Sequence, residues 1–262
     1  MKSMLELPHV ALWRIGSSFE NEPHRHDDSF QLTVPVSGVC ELTSERQSFR
    51  LGPGEALVQL PGEEHHFRLG GTDSVIIFQM KISSMTELWS GQEQLLLQRQ
   101  TIAVDDLGEL WRSWTNRLLT GEADEIGMIS EETECAVYAY LQKTLQTGYG
   151  RGTPSSGDAA WRIAEGIGAW RNVMDYIHDH YKEQLSLDEL AALAGVSKYH
   201  FVRQFKARTG NTPYQYVLSL RIAEAKRLLG AGRTSVTGIC FDLGFASLSS
   251  FYRMFGRATG MT

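Results

Sequence analysis

Two sets of residues in this 262-residue chain have the types and spacing to do chemistry. The first is His24-Arg25-His26, then Gln31, then Pro61-Gly62-Glu63-Glu64-His65. Alternate residues of a strand point to one face, so a His-x-His strand presents both imidazoles together. A third imidazole on a neighbouring strand would complete a site of the kind used by Fe, Mn, Ni or Zn. Without a metal the same residues can line a small-molecule pocket, and Glu63-Glu64-His65-His66 can be a plain polar turn. The second set is Lys198, Tyr199, Val202, Arg203 and Lys206. These positions fall largely on one outward helix face if Phe201 and Phe205, at i and i+4, bury the other. Such a face can enter a major groove, where Arg contacts guanine O6 and N7 bidentately and Lys neutralises phosphates.

The elements that must position the second set repeat. Ser186-Leu187-Asp188-Glu189-Leu190-Ala191 leads to Gly195-Val196-Ser197, then Phe201, Arg203, Phe205 and Thr209-Gly210. Ser235-Val236-Thr237-Gly238-Ile239-Cys240 leads to Gly244-Phe245-Ala246-Ser247, then Phe251, Arg253, Phe255 and Thr259-Gly260. Each unit reads as a helix, a turn that needs Gly, and a second helix capped by Ser, which is a helix-turn-helix. In the second unit Phe251 and Phe255 are the anchors, leaving Leu248, Ser249, Tyr252 and Arg253 outward. Thr212-Pro213 predicts the start of a joining helix that runs to about Leu229 and ends at Gly230 or Gly232. At 1.5 Å per residue that helix is roughly 25 Å long, a spacer that suits major-groove faces about 34 Å apart. Folding alone does not require the Arg and the paired Phe to recur together, so the repeat favours DNA reading over a merely solvated basic face.

Residues 170–262 clearly resemble the DNA-binding domain of the AraC/XylS family of transcription regulators. The resemblance is carried by YIHDHYKEQLSLDELAALAGVSKYHFVRQFKARTGNTPYQYVLSLRIAEAKRLL and ICFDLGFASLSSFYRMFGRATG. It implies one polypeptide with two helix-turn-helix units, double-stranded promoter DNA as partner, and RNA polymerase as a further partner. By position in the motif it puts base contacts on Tyr199, Val202 and Arg203, and on Ser249, Tyr252 and Arg253. Family members usually continue past the second Thr-Gly with a short proline-led helix. Here Thr259-Gly260 is followed only by Met261-Thr262, so the expectation is a loosened second unit.

Upstream, residues 10–82 read mainly as strands. Short apolar or alternating runs (Phe30 to Val36, Ala56 to Leu60, Ser74 to Met80) are separated by turn signals at Ser37-Gly38, Gly52-Pro53-Gly54, Pro61-Gly62 and Gly70-Gly71. That spacing predicts a sandwich or barrel. The histidine pattern resembles the cupin arrangement of a His-x-His strand followed by a Pro-Gly turn and a His. Catalytic cupins usually carry Glu where Gln31 stands, and the neutral amide is a poorer ligand. The reading is therefore a metal-free effector pocket at His24, His26, Gln31 and His65, or a purely structural barrel, with no cofactor. After about residue 85 the period becomes helical, through Leu88, Leu95, Leu96, Leu107, Leu110, Trp111 and Trp114, and again from Ser130 to Gln146. These helices are expected to join two copies into a homodimer, with packing on their own barrel as the alternative. Trp111 and Trp114 read as core.

The fold class that follows is α+β: an N-terminal cupin-like β-barrel with appended dimerisation helices, then an all-α domain with two helix-turn-helix units. The expected domains are 1–147, a linker at 148–158 rich in Gly, Ser and Pro, and 159–262. Composition agrees, since 42% hydrophobic and 21% charged residues exclude wholesale disorder. No run approaches the roughly 18 apolar residues of a membrane span, and MKSMLELPHV lacks the apolar core of a secretory signal. Cys40, Cys135 and Cys240 are odd in number and far apart, which argues against a disulfide framework and a cysteine zinc site and fits a cytoplasmic protein. The net charge of −6 hides a division: residues 170–262 hold 12 Lys and Arg against 7 Asp and Glu, and residues 1–169 hold 13 against 24. A basic half suits a polyanion partner, and the acidic half has another task. The function read from the sequence is a one-component regulator controlled by a small-molecule effector. The rival reading is a metal-dependent cupin enzyme with a C-terminal attachment module, and an effector-free scaffold is a third.

Overall fold

A computed structural model describes residues 2–81, 98–121, 126–145, 159–232 and 234–260. Leu88, Leu95 and Leu96 of the expected helices and the expected linker at 148–158 lie outside the described residues. The chain divides into two compact units: Met1–Leu119 with Ala136–Gly152, and Thr120–Cys135 with Thr153–Thr262.

The first unit is built on two antiparallel sheets. One has the order β1 (Lys2–Glu6), β2 (Val10–Gly16), β9 (Ser74–Lys81), β4 (Ser29–Ser37), β7 (Glu55–Gln59) and β10 (Arg99–Thr101). The other has the order β3 (Phe19–Glu20), β8 (His65–Leu69), β5 (Cys40–Ser44) and β6 (Gln47–Leu51). Period-two alternation decides what each strand buries. Cys40 and Leu42 of β5, Phe67 and Leu69 of β8, and Val75 and Ile77 of β9 meet in one core between the sheets. The intervening residues of the six-stranded sheet are apolar too: Phe30, Leu32 and Val34 of β4 pair in register with Met80, Phe78 and Ile76 of β9. A strand buried on both faces reads as a continuous apolar run, which is how β4 and β9 read.

The helices of the unit cover that second face. In α1 (Val104–Thr120), Leu107, Trp111 and Trp114 lie on the buried side. Trp114 meets Phe78 edge to face with ring centroids 6.4 Å apart, and Tyr140 of α2 (Ile126–Thr144) meets Trp114 at 6.0 Å. The tryptophans are core, as expected, and α1 packs on its own sheet.

The second unit is helical. Among the described residues it holds the first part of α2, then α3 (Ala159–His180), α4 (Leu187–Ala194), α5 (Lys198–Thr209), α6 (Pro213–Ala231), α7 (Val236–Asp242) and α8 (Leu248–Thr259). Side-chain oxygens of Ser186, Ser197, Thr212, Ser235 and Ser247 each accept a backbone N–H at the start of the following helix. Thr212 adds a reciprocal bond, with Gln215 reaching back to the Thr212 N–H, and Pro213 pre-sets the first helical turn. At 19 residues, α6 is about 28 Å long. It ends at Gly232.

One buried cation holds the unit together. The Arg221 guanidinium, in mid-α6, donates to the carbonyl oxygens of Tyr181 (2.6 Å), Glu183 (2.8 Å) and Gly244 (2.8 Å). Gly244 turns the chain between α7 and α8 with φ +77°, and a Cβ there would run into the carbonyl of Lys182. Only glycine satisfies both conditions.

Candidate DNA-reading face and histidine cluster

In the first helix-turn-helix unit α5 follows the α4 turn as the spacing predicts. Phe201 and Phe205 are buried, with ring centroids 5.5 Å apart, and Phe205 also meets Trp170 of α3 and Tyr216 of α6. Arg203 and Lys206 are exposed. The outward placement of Tyr199 and Val202 is corrected: they are only 3% and 7% exposed. Cys135, at the end of the first part of α2, is near enough to act on the Tyr199 phenol. Glu131, one turn earlier, lies 2.8 Å from the Lys198 ammonium, and Asp188 of α4 lies 2.9 Å from it. Burial works against the charge on Lys198, but these two carboxylate bonds outweigh it and raise its pKa. Glu132 accepts the backbone N–H of Tyr214 at 2.7 Å, in the first turn of α6. A carboxylate thus sits at a helix start, where backbone N–H groups favour anions.

In the second unit Phe251 is buried in a cluster with Ile239 of α7, Leu243 and Phe245 of the turn and Met254 of α8, together with Ile222 and Ala225 of α6. Of the face read as outward on α8, Ser249 and Tyr252 are exposed, Tyr252 by 57%, whereas Leu248 packs against the buried cluster and Arg253 is half-buried.

The histidines of the first unit come together. His24 forms an isolated antiparallel bridge to His65 of β8, instead of lying within a regular strand. The ring centroids are 4.5 Å (His24–His65), 5.0 Å (His24–His26) and 5.3 Å (His26–His65) apart. One ring nitrogen from each lies within 4.8 Å of the others. His24 Nδ1 is 3.0 Å from the Glu22 carbonyl oxygen and His65 Nδ1 is 3.0 Å from that of Glu63. Burial lowers the His65 pKa to about 4, and burial, then the neighbouring His24, lowers that of His26. Gln31 of β4 is buried and hydrogen-bonds His26 in the sense that favours the imidazole's proton. Gln31 Nε2 donates to Thr33 Oγ1 and Thr33 Oγ1 to Gln59 Oε1, both at 3.1 Å. Three clustered imidazoles and a polar chain along one sheet face can orient a polar ligand or bind a metal ion.

Known proteins bear on both halves. The AraC-binding-like domain family matches residues 6–137, and the helix-turn-helix domain family matches residues 190–262. The chain belongs to the AraC family of transcription regulators. Over 246 residues the regulator is 27% identical to YobQ, an uncharacterised HTH-type transcriptional regulator of Bacillus subtilis, covering 91% of this chain and 85% of the relative. It is 35% identical over 89 residues to the HTH-type transcriptional activator RhaS of Escherichia fergusonii, covering 34% of this chain and 32% of the relative. Among solved structures it is similar to the DNA-binding domain of the global transcriptional factor AdpA in complex with a target DNA, with 32% identity, 35% of this chain and 83% of that chain covered, and a TM-score of 0.34.

Sequence reasoning missed several residues that matter to this AraC-family regulator's sites. Glu131, Glu132 and Asp188 engage the first reading helix and the start of α6, and nothing in their local pattern marks them for it. Thr33 and Gln59 were hidden inside apolar strands, although two polar residues in runs that read as buried core are a signal in themselves.

Proposed function

We propose that this chain is a one-component, sequence-specific regulator: its N-terminal barrel takes a small-molecule effector and its two helix-turn-helix units read one operator. The doubled helix-turn-helix, with Arg203 and Lys206 exposed on α5, Ser249 and Tyr252 exposed on α8 and Arg253 half-buried beside them, is the observation that carries the reading. Lys198 joins the phosphate contacts when Glu131 releases it. The effector pocket is assigned to His24, His26, Gln31 and His65. The functional division is 1–147 for sensing and dimerisation, 148–158 as linker and 159–262 for DNA. Two copies bind as a homodimer, in the cytoplasm, where the regulator acts as an activator through contact with RNA polymerase. It catalyses no reaction; no helix among the described residues is long and apolar enough to cross a membrane. The decisive experiment maps genomic DNA bound by the full chain with and without candidate metabolites. A shared operator whose occupancy changes with one metabolite supports the proposal. Uniform, sequence-independent binding would overturn it.

A further inference from the structure

We propose that the helical unit carries a second small-molecule site, separate from the histidine cluster, which takes a small organic ammonium ion with an apolar body. The site is a cavity beside the first part of α2 and the middle of α6, and Glu131 is the residue that holds the ammonium.

The cavity is built from two helix faces. Val217, Leu218 and Arg221 fall on one side of α6, since i and i+3 or i+4 are neighbours there. Met128 and Glu131, three apart on α2, line it too, and Leu185 closes it just before α4. The enclosed volume is about 190 Å³, and every lining residue belongs to the second compact unit. An apolar cavity of about 150 Å³ holds a benzene-sized molecule, so this one suits a ligand of about seven to nine non-hydrogen atoms. Val217 is buried, and Met128, Leu185 and Leu218 are half-buried, so the wall that meets the ligand's body is carbon.

Charge selects the ligand's head. Glu131 is the one carboxylate lining the cavity, and its side chain is only 21% exposed. Among the described residues that carboxylate makes a single hydrogen bond, from the Lys198 ammonium to Oε1. A carboxylate has about four acceptor sites, so Oε2 is the acceptor that Glu131 offers to a donor in the cavity. Arg221 brings a positive charge to the same wall, but three of its N–H groups already go to backbone carbonyl oxygens. A carboxylate ligand would add a second anion beside Glu131 in a confined space. An ammonium instead makes a charge-assisted bond to Glu131 and lays its carbon chain along Val217 and Leu218.

The bound ammonium shares Glu131 with Lys198. Two cations on one carboxylate repel each other, so the ligand loosens the hold on Lys198 and leaves Asp188 as its firm partner. When Lys198 moves to a DNA phosphate, Glu131 would stay behind as a largely buried, uncompensated charge, which is costly. The ligand's ammonium compensates it. Ligand and DNA therefore favour each other, and the coupling is reciprocal. The coupling rests on the assignment of Lys198 to phosphate; the binding itself does not.

The test titrates the full chain by calorimetry with hexylamine, hexan-1-ol and hexanoate, which share one carbon chain and differ in the head group. Hexylamine should bind saturably and hexanoate most weakly. Glu131→Gln should weaken hexylamine about 10–100-fold and erase its advantage over hexanol. Gly127 lines the same cavity, and a Cβ there meets nothing within 4 Å, so Gly127→Leu should weaken amine and alcohol alike while the melting temperature holds. Lys198→Ala removes the competing cation and should tighten hexylamine about tenfold. His24→Ala/His26→Ala should leave hexylamine binding unchanged. Absence of saturable amine binding, hexanol or hexanoate binding as tightly as hexylamine, amine binding that survives Glu131→Gln, or its loss in the histidine variant would each overturn the proposal. None of these readouts involves DNA, so a negative result is distinguishable from failure of the regulatory reading.

Discussion

Neutralising Glu131 should tighten DNA binding. The Lys198 ammonium sits 2.8 Å from Glu131 and 2.9 Å from Asp188, and the Lys198 and Glu131 side chains are only 23% and 21% exposed. A hydrogen bond to a charged group contributes about 1.5–3 kcal/mol net. Asp188 remains as an acceptor in Glu131→Gln, and the amide can still accept weakly. The hold on Lys198 should therefore weaken by about 1–1.5 kcal/mol. If that energy opposes contact with a phosphate, its removal is worth about a tenfold gain in operator affinity. One more neutralised phosphate should also steepen the plot of log affinity against log salt by about one unit. Fluorescence anisotropy on a labelled operator duplex at several salt concentrations reads both quantities. The control is Lys198→Ala, in which the Glu131→Gln gain should vanish. Unchanged affinity and slope in Glu131→Gln, or an equal gain without Lys198, would refute the competition between Glu131 and DNA.

Three further outcomes are expected. Gly244→Ala should lower the melting temperature sharply, because the φ of +77° alone costs about 1–3 kcal/mol for a residue with a side chain and the Lys182 carbonyl leaves no room for a Cβ; a variant as stable as the parent in urea titration would contradict this. Arg203→Ala should cost about 1–3 kcal/mol at one base pair and relax specificity there without unfolding, whereas Phe205→Ala should cost about 3–5 kcal/mol of stability, so circular dichroism and binding should separate the two. The half-operator under α8 should be the more tolerant one, since Ser249 and Tyr252 form single adaptable bonds and Gly256 stands where α5 has Lys206; saturation mutagenesis of the operator giving equal penalties in both halves would count against it.

What the sequence made legible was local. The helix-turn-helix repeat could be read because caps, glycine turns and Phe pairs at i and i+4 act within a few residues. The histidine cluster was visible because two turns of chain bring a His-x-His and a Pro-Gly-x-x-His to adjacent positions. The burial of Tyr199 and Val202 was not visible, and neither was the carboxylate that holds Lys198 beside them, because Glu131 lies 67 positions earlier in the chain. β1 escaped notice since Leu5 is its only buried residue, and β10 since it is a three-residue strand inside a stretch of helical period. The carbonyls beside the His24 and His65 rings belong to the backbone, on which residue type is silent.

Arg221 carries a consequence for the shape of the operator. By gripping the chain on either side of Lys182 and the turn at Gly244 from the middle of α6, it leaves the α7–α8 unit no hinge about the joining helix. That grip ties the turn before α8 to the joining helix and so constrains the angular phase between α5 and α8. Duplex DNA turns about 34° with each base pair. A single base pair inserted between the two half-sites would aim α8 toward a phosphate ridge instead of a groove floor, and only bending of the DNA could bring it back. If the two units read one operator as proposed, its half-sites need a fixed separation, and inserting one base pair between them should weaken binding more than a single substitution does.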